Sequence, residues 1–359
     1  MKIQHLIFLI IPFVFSNCND DFSINSEWED NTIVIGLLQS SDTAQYIKIN
    51  KSFLGEGDVY EMAQVADSIQ YPSELTVQLI EYIIINPNSS PFQSNNWNRS
   101  TRDSIILYRT NEIEKNELNS NGEEGTFGTD KNYLYKTKEQ LIDGYKYKLL
   151  VVIPGKIEPV WSEAYMINKF VAIKPSIYES QKIDMSNENS PYAVKWKSAV
   201  YGKIYQPTIR FNYVEIAGND SLYHSIILEY PMQSVEELRT PSSYDVGTEM
   251  EQSVGGTDFY RSLEQKIPEN SNVRRVSTTI DFVFLSGGKN FETYLNVSQT
   301  EVSYGQTTPV YSNIYNGYGL FDSRYKYEVK GKILNVSSLD SLANGRFTSK
   351  LNFENYYTN

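Results

Sequence analysis

The run Gln45-Tyr46-Ile47-Lys48-Ile49-Asn50-Lys51 alternates with a period of two, the pattern of a strand with one buried and one wet face. Residues 33–38 precede it across the polar turn Ser40-Ser41-Asp42, so the pair reads as a hairpin. Similar segments recur at 75–82, 104–108, 133–137, 145–153 and 165–171, separated by Asn-, Ser- and Pro-rich stretches such as 86–102. Further on, 193–197 carries Trp196 toward a core. Residues 205–216 and 221–230 form a hairpin around 217–220, and 278–285 and 290–297 another around 286–289. Strands at 325–333 and 347–353 close the series. The chain holds 28 Tyr and 16 Phe in 359 residues, and aromatic and β-branched side chains suit a pleated, half-buried surface. The expected class is mostly β.

One segment breaks the pattern. Gly256-Thr257 opens a helix near 257–267, with Thr257 as N-cap. Phe259, Tyr260, Leu263 and Ile267 recur at helical spacing before Pro268 ends it. At the other scale, Ile173-Lys174-Pro175 interrupts the ladder and suggests a domain boundary. The segment Gly144-Tyr145-Lys146-Tyr147-Lys148-Leu149-Leu150-Val151-Val152 resembles the penultimate strand of immunoglobulin-like and fibronectin type III sandwiches. There a tyrosine hydroxyl ties the corner, a role open to Tyr145 or Tyr147. The expectation is two such β-sandwich domains, 31–171 and 172–359, with the short amphipathic helix in the second.

The first residues constrain location. Lys2 gives a weakly basic start, residues 6–15 are apolar, and Ser16-Asn17 leads to Cys18, the single cysteine of the chain. A basic, apolar and small-residue succession is the layout of a secretory signal peptide, here 1–17. Its apolar stretch is shorter than the about 20 residues a bilayer crossing needs. Phe15-Ser16-Asn17-Cys18 resembles a bacterial lipobox, with Asn17 departing from the usual small residue. Lipid on Cys18 then anchors the protein, and 18–30 forms a lipidated tether. The alternative is cleavage and release with Cys18 a free thiol. Asp20 and Asp21 look like the export tag that sends Bacteroidetes lipoproteins to the outer face of the outer membrane. With Cys18 so used, no disulfide can form within the chain, and burial and sheet hydrogen bonds must hold the fold.

A net charge of −12 argues against nucleic acid and anionic membrane surfaces, which select clustered Lys and Arg. The catalytic inventory is thin. His224 is the one histidine outside the leader. It sits mid-strand, read as exposed, with no serine elbow nearby and no set of ligands for zinc. Glu123-Glu124 and Glu236-Glu237 lie in loops without a partner at glycosidase separation. Ser286-Gly287-Gly288-Lys289 lacks phosphate-loop spacing. The expectation is no catalytic residues, no metal, no cofactor, and no enzyme.

Two other features point to surface biology. Asp followed by Ser or Thr and a small or aliphatic residue occurs five times, where composition supplies about one. The triplet resembles the O-glycosylation sequon of Bacteroidetes exported proteins, which implies sugar on Thr43, Ser68, Ser104, Ser221 and Ser341. Asp-Ser also starts β-turns without any modification. Trp97 in an Asn-rich loop, and Tyr315 and Tyr318 within the aromatic run 311–321, are candidate ligand-contact residues, able to stack on sugars or anchor a partner. The opposing reading has these aromatics capping the sheet ends.

The blocks IVIGLL, QYIKINKSFLGEGDVYEMAQVADS, IRFNYVEI, FYRSLEQKIPENSNVRRV and NIYNGYGLFDSRY together resemble an uncharacterised Bacteroidetes lipoprotein family often found beside TonB-dependent receptors. The resemblance implies an outer-membrane, lipid-anchored β protein facing the cell surface or the periplasm. It also implies a non-enzymatic binding or accessory role to a TonB-dependent nutrient-uptake receptor, with no catalytic motif to carry over. A structural or adhesive fimbria-like subunit is the alternative, and a carboxylate hydrolase a third.

Overall fold

Among the described residues, the first strand pairs in parallel with the last. In the computed structural model, which describes residues 31–52, 59–115, 131–178, 182–186, 191–239, 247–299 and 310–355, β1 (Thr32–Leu38) forms the expected antiparallel hairpin with β2 (Gln45–Lys51). Two short helices follow, α1 (Val59–Gln64) and α2 (Ala66–Ile69). Next come β3 (Thr76–Ile84), β4 (Trp97–Arg99), β5 (Ile105–Thr110), β6 (Leu134–Thr137), β7 (Lys146–Val152), β8 (Val160–Tyr165) and β9 (Ala172–Lys174). The second half holds β10 (Tyr192–Lys197), β11 (Ile204–Ala217), β12 (Asp220–Glu229), β13 (Gln233–Ser234) and β14 (Glu249–Val254). It continues with α3 (Gly256–Lys266), β15 (Arg274–Gly287), α4 (Lys289–Ser298), β16 (Tyr318–Lys332) and α5 (Val336–Asn344). The leader, the tether, Cys18, Asp20 and Asp21 lie outside the described residues.

The protein is mostly β, in agreement with the sequence. Among the described residues, thirteen strands join one hydrogen-bonded sheet in the order β12-β11-β15-β16-β1-β2-β6-β5-β3-β7-β8, with β4 on β3 and β13 on β11. A second sheet, β14-β10-β9, has three. Side chains of β1, β2 and β6 share a buried cluster with those of β3, β5 and β7. In the other half the small sheet lies against β11, β15 and β16, where Trp196 and Phe284 approach to 5.4 Å between ring centres. The face of α3 predicted to be apolar packs here, Phe259 standing edge-on to Phe211 at 5.9 Å.

The seam between the halves is the parallel β1–β16 ladder, in register from Ile33 opposite Tyr318 to Leu38 opposite Ser323. It spans the boundary drawn at 171/172. The cores exchange members as well: Trp97 belongs to the cluster of the second half, Ile314 and Phe321 to that of the first. At the seam Gly319 has φ +116°, and a Cβ there would run into the Val34 carbonyl.

Several elements differ from the sequence reading. Residues 290–297, expected as a strand, form α4, because Asp322 on β16 accepts the Phe291 N–H at the helix start and overrides the β preference of Phe, Thr, Tyr and Val. The second half therefore has three helices of nine residues or more among the described residues, not one. Helix α3 starts after Gly255, whose carbonyl accepts the Phe259 N–H, so Thr257 is inside the first turn and not the cap. Residues 347–353 do not add a strand. They turn through a single 3-10 turn (Ser349–Leu351), held from β15 by Arg275. The strand expected at 165–171 ends at Tyr165, and Met166, Ile167 and Phe170 drop into the cores. The loop 86–102 contains β4. His224 is half-buried, not exposed, because the Tyr213 ring stacks on it at 5.0 Å across the β11–β12 pair.

Candidate ligand-binding site

A cavity of about 370 Å³ opens where the two halves meet, within the range of small-molecule sites. Its first wall is built by the loop before β4. There the Asn96 amide donates to the carbonyls of Asn86 (2.9 Å) and Ser90 (3.2 Å), and the Trp97 indole N–H donates to Pro91 O at 2.6 Å. These bonds fix Phe92, whose ring meets Tyr165 at the end of β8 edge-on at 5.5 Å. Trp97 is buried and packs behind Tyr165 at 5.6 Å, so it supports the wall and does not offer a free face.

Tyr201 forms the floor. Its ring lies 5.3 Å from Tyr165 and it is 1% exposed, yet its hydroxyl makes no hydrogen bond among the described residues. Burial pushes its ionisation up, so the hydroxyl keeps its proton. The backbone there is left-handed, φ +64°, a conformation that costs a non-glycine residue on the order of 1 kcal/mol or more and that surrounding structure must enforce. The Tyr201 N–H bonded to Arg239 O at 3.0 Å is part of that enforcement. An unpartnered, desolvated hydroxyl also costs about 1–3 kcal/mol.

The opposite wall is the start of α4 and its neighbours. Gly288 has no room for a side chain because the Asp322 carboxylate occupies that space. Asp322 is itself buried, with Oδ2 accepting the Phe291 N–H and Oδ1 the Ser323 N–H, each at 2.8 Å, plus the Asn290 N–H. Burial pushes its pKa up to about 6, the backbone donors working against that rise. Tyr311 donates its hydroxyl to Asn290 Oδ1 at 2.8 Å. Lys289 brings its ammonium to 5.7 Å from the centre of the Phe92 ring, within cation–π range. Aromatic side chains, one ammonium and one committed carboxylate thus line a single space, with the Tyr201 hydroxyl buried at its floor.

Only part of this was expected. Tyr311 lies at the start of the aromatic run 311–321. Tyr315 and Tyr318, both about half exposed, are elsewhere. Tyr315 stacks on Trp161 at 3.8 Å and 5°, with the Lys148 ammonium 3.9 Å from the Trp161 ring centre. Two backbone bonds between Trp161 and Tyr315 close that edge of β8. The sequence reading missed Tyr165, Tyr201 and Asp322, which come from separate segments and join only through tertiary folding. Of the sequon residues, Thr43 is an exposed turn residue and Ser221 is exposed at the start of β12. Ser104 is half-buried and accepts from Arg99, Ser68 is half-buried on α2, and Ser341 lies on α5 with its hydroxyl on Ser337 O.

No protein-family model matches this chain, and no curated protein matches it. Its function is therefore argued from the residues themselves.

Proposed function

We propose that the chain is a non-enzymatic binding module held at the outer membrane by lipid on Cys18, serving as an accessory to a TonB-dependent uptake receptor. The observation that carries the binding role is the interhalf cavity of about 370 Å³, lined by the rings of Phe92, Tyr165, Tyr201 and Tyr311. The leader-and-cysteine pattern supports the anchor. Two acyl chains hold durably where one gives only marginal binding.

The test is metabolic labelling with a clickable fatty acid, run with Cys18→Ala alongside, and co-isolation of the wild-type protein from solubilised outer membranes. The expected result is label on the wild type alone, and a TonB-dependent receptor in the isolate. A protein that stays unlabelled and fractionates identically with and without Cys18 would remove the anchor. Isolates free of any receptor would remove the accessory role.

A further inference from the structure

We propose that two copies of this chain join edge to edge through β12, at one margin of the large sheet. Among the described residues β12 (Asp220–Glu229) pairs with β11 alone, so its other edge faces solvent along ten residues. Proteins blunt such edges with lysine, proline, a bulge or a covering loop. The sequence of β12, DSLYHSIILE, holds no Lys, Arg, Pro or Gly. Its ladder with β11 runs from Asp220 to Glu229 without a register shift, whereas both ladders of β15 carry one. The opposite margin of the sheet is covered. Segment 313–316 lies along β8, where Trp161 and Tyr315 exchange two backbone bonds, Asn313 O accepts from the Ser162 hydroxyl, and the Asn316 amide donates to Pro159 O.

The strand complements itself. Leu228 and Ile226 pack on the core and His224 stacks on Tyr213, so Leu222, His224, Ile226 and Leu228 share the inner face, and Tyr223, Ser225 and Ile227 the outer one. Leu222 is 61% exposed, Tyr223 79% and Ile227 49%, three large apolar side chains on one edge strand. Opposed residues in a sheet lie on the same face, so the two-fold axis of an antiparallel pair must pass through a residue. With Ser225 on the axis, Leu222 meets Leu228 of the second copy, Tyr223 meets Ile227 and His224 meets Ile226. Glu229 meets Ser221, and no two carboxylates oppose. Moving the axis to His224 sets Asp220 against Leu228, and moving it to Ile226 sets Glu229 against Tyr223. One register thus keeps apolar against apolar with both carboxylates at the ends of the ladder. That self-complementarity selects a second copy over an unrelated strand, and with β8 covered the assembly ends at two.

The test uses the mature chain with Cys18→Ala, so that an introduced cysteine is the only one, and reads mass by light scattering after size exclusion. The expected result is a doubled mass for this parent. Tyr223→Lys combined with Ile227→Lys sets ammonium groups against each other across the axis and should return the mass of one chain, with the melting temperature unchanged because both positions are exposed. Register is read by mild oxidation. Ser225→Cys should crosslink to its own copy, since opposed Cα atoms lie about 4.5–5.5 Å apart, within disulfide reach. Ser221→Cys and Glu229→Cys, each about 27 Å along the strand from its own copy, should not crosslink alone but should do so when the two variants are mixed. A monomeric parent overturns the proposal. So does a dimer whose lysine variant keeps the doubled mass, or one in which S225C stays reduced, since association then uses another surface. S225C that crosslinks in whole membranes only to a different protein assigns the edge to a foreign strand and overturns it as well. None of these outcomes bears on Cys18 lipidation or receptor co-isolation, so the binding-module reading stands or falls separately.

Discussion

The Tyr147 hydroxyl donates to Glu81 Oε2 at 2.7 Å and accepts the Ile142 N–H at 3.0 Å, so one oxygen joins a buried carboxylate on β3 to the turn that starts β7. Glu81 is 4% exposed and has Arg102 Nη1 at 3.4 Å as its other partner. The hydroxyl reaches backbone five residues upstream, as in the tyrosine corners of sandwich domains. Between Tyr145 and Tyr147, which the sequence left open, this geometry selects Tyr147.

Tyr147→Phe should lower stability by about 2 kcal/mol, since it leaves a buried carboxylate one donor short and an N–H without an acceptor. Tyr145→Phe should change it by less than about 0.5 kcal/mol. Urea unfolding of both variants measures the contrast, and equal effects would refute the corner assignment.

Arg275 is 1% exposed on β15 and donates to Glu215 Oε2 (2.9 Å), Leu351 O (2.7 Å) and Pro268 O (3.0 Å). One guanidinium thus fastens the end of α3 and the C-terminal turn to the sheet. Arg275→Ala should lower stability by about 3–5 kcal/mol, the cost of breaking a buried, hydrogen-bonded pair. Limited proteolysis should cut near Leu351 in the variant well before the wild type.

Gly319 meets Val34 at the parallel seam with φ +116°, where a side chain would strike backbone. Gly319→Ala should cost about 2 kcal/mol or more, through strain and a clash that no rotamer relieves. If the ladder is the main joint between the halves, hydrogen exchange should rise along β1 and β16 together. Faster exchange in only one of them would show that the joint lies elsewhere.

The strands were legible because period-two alternation and aromatic content are local signals. The hairpin of β1 and β2 and the apolar stripe of α3 needed nothing from far away. What could not be read depended on partners distant in sequence. Helix α4 forms because Asp322 caps it from β16, the 347–353 turn because Arg275 draws it to β15, and β1 pairs with a strand almost three hundred residues later. The cavity has the same origin. Tyr165, Tyr201 and Asp322 belong to three segments without a shared motif, so only Tyr311, inside an aromatic run, left a trace in the sequence.

Asp322 makes stability depend on pH in a direction opposite to most carboxylates. Its folded pKa is raised to about 6 by burial, against about 3.9 for an unfolded aspartate. Below pH 4 both states hold the proton and the burial carries no ionic penalty. Between pH 4 and 6 the unfolded chain releases its proton first, so the native state binds more protons and stability falls as pH rises. The loss saturates above pH 6 at on the order of 3 kcal/mol, since each tenfold difference in proton affinity between the two states is worth about 1.4 kcal/mol. Asp322→Asn cannot ionise. Asn offers one oxygen where the two of Asp322 now accept three backbone N–H groups, so the variant should start below the wild type at pH 4. The gap should narrow or reverse by pH 7, while Lys289 and Tyr311, the other ionisable groups at this wall, remain in place. Urea titrations at pH 4, 5, 6 and 7 give the difference directly. Curves for wild type and variant that run parallel across this window would mean that Asp322 is solvated in the native protein, and with it the wall of the cavity.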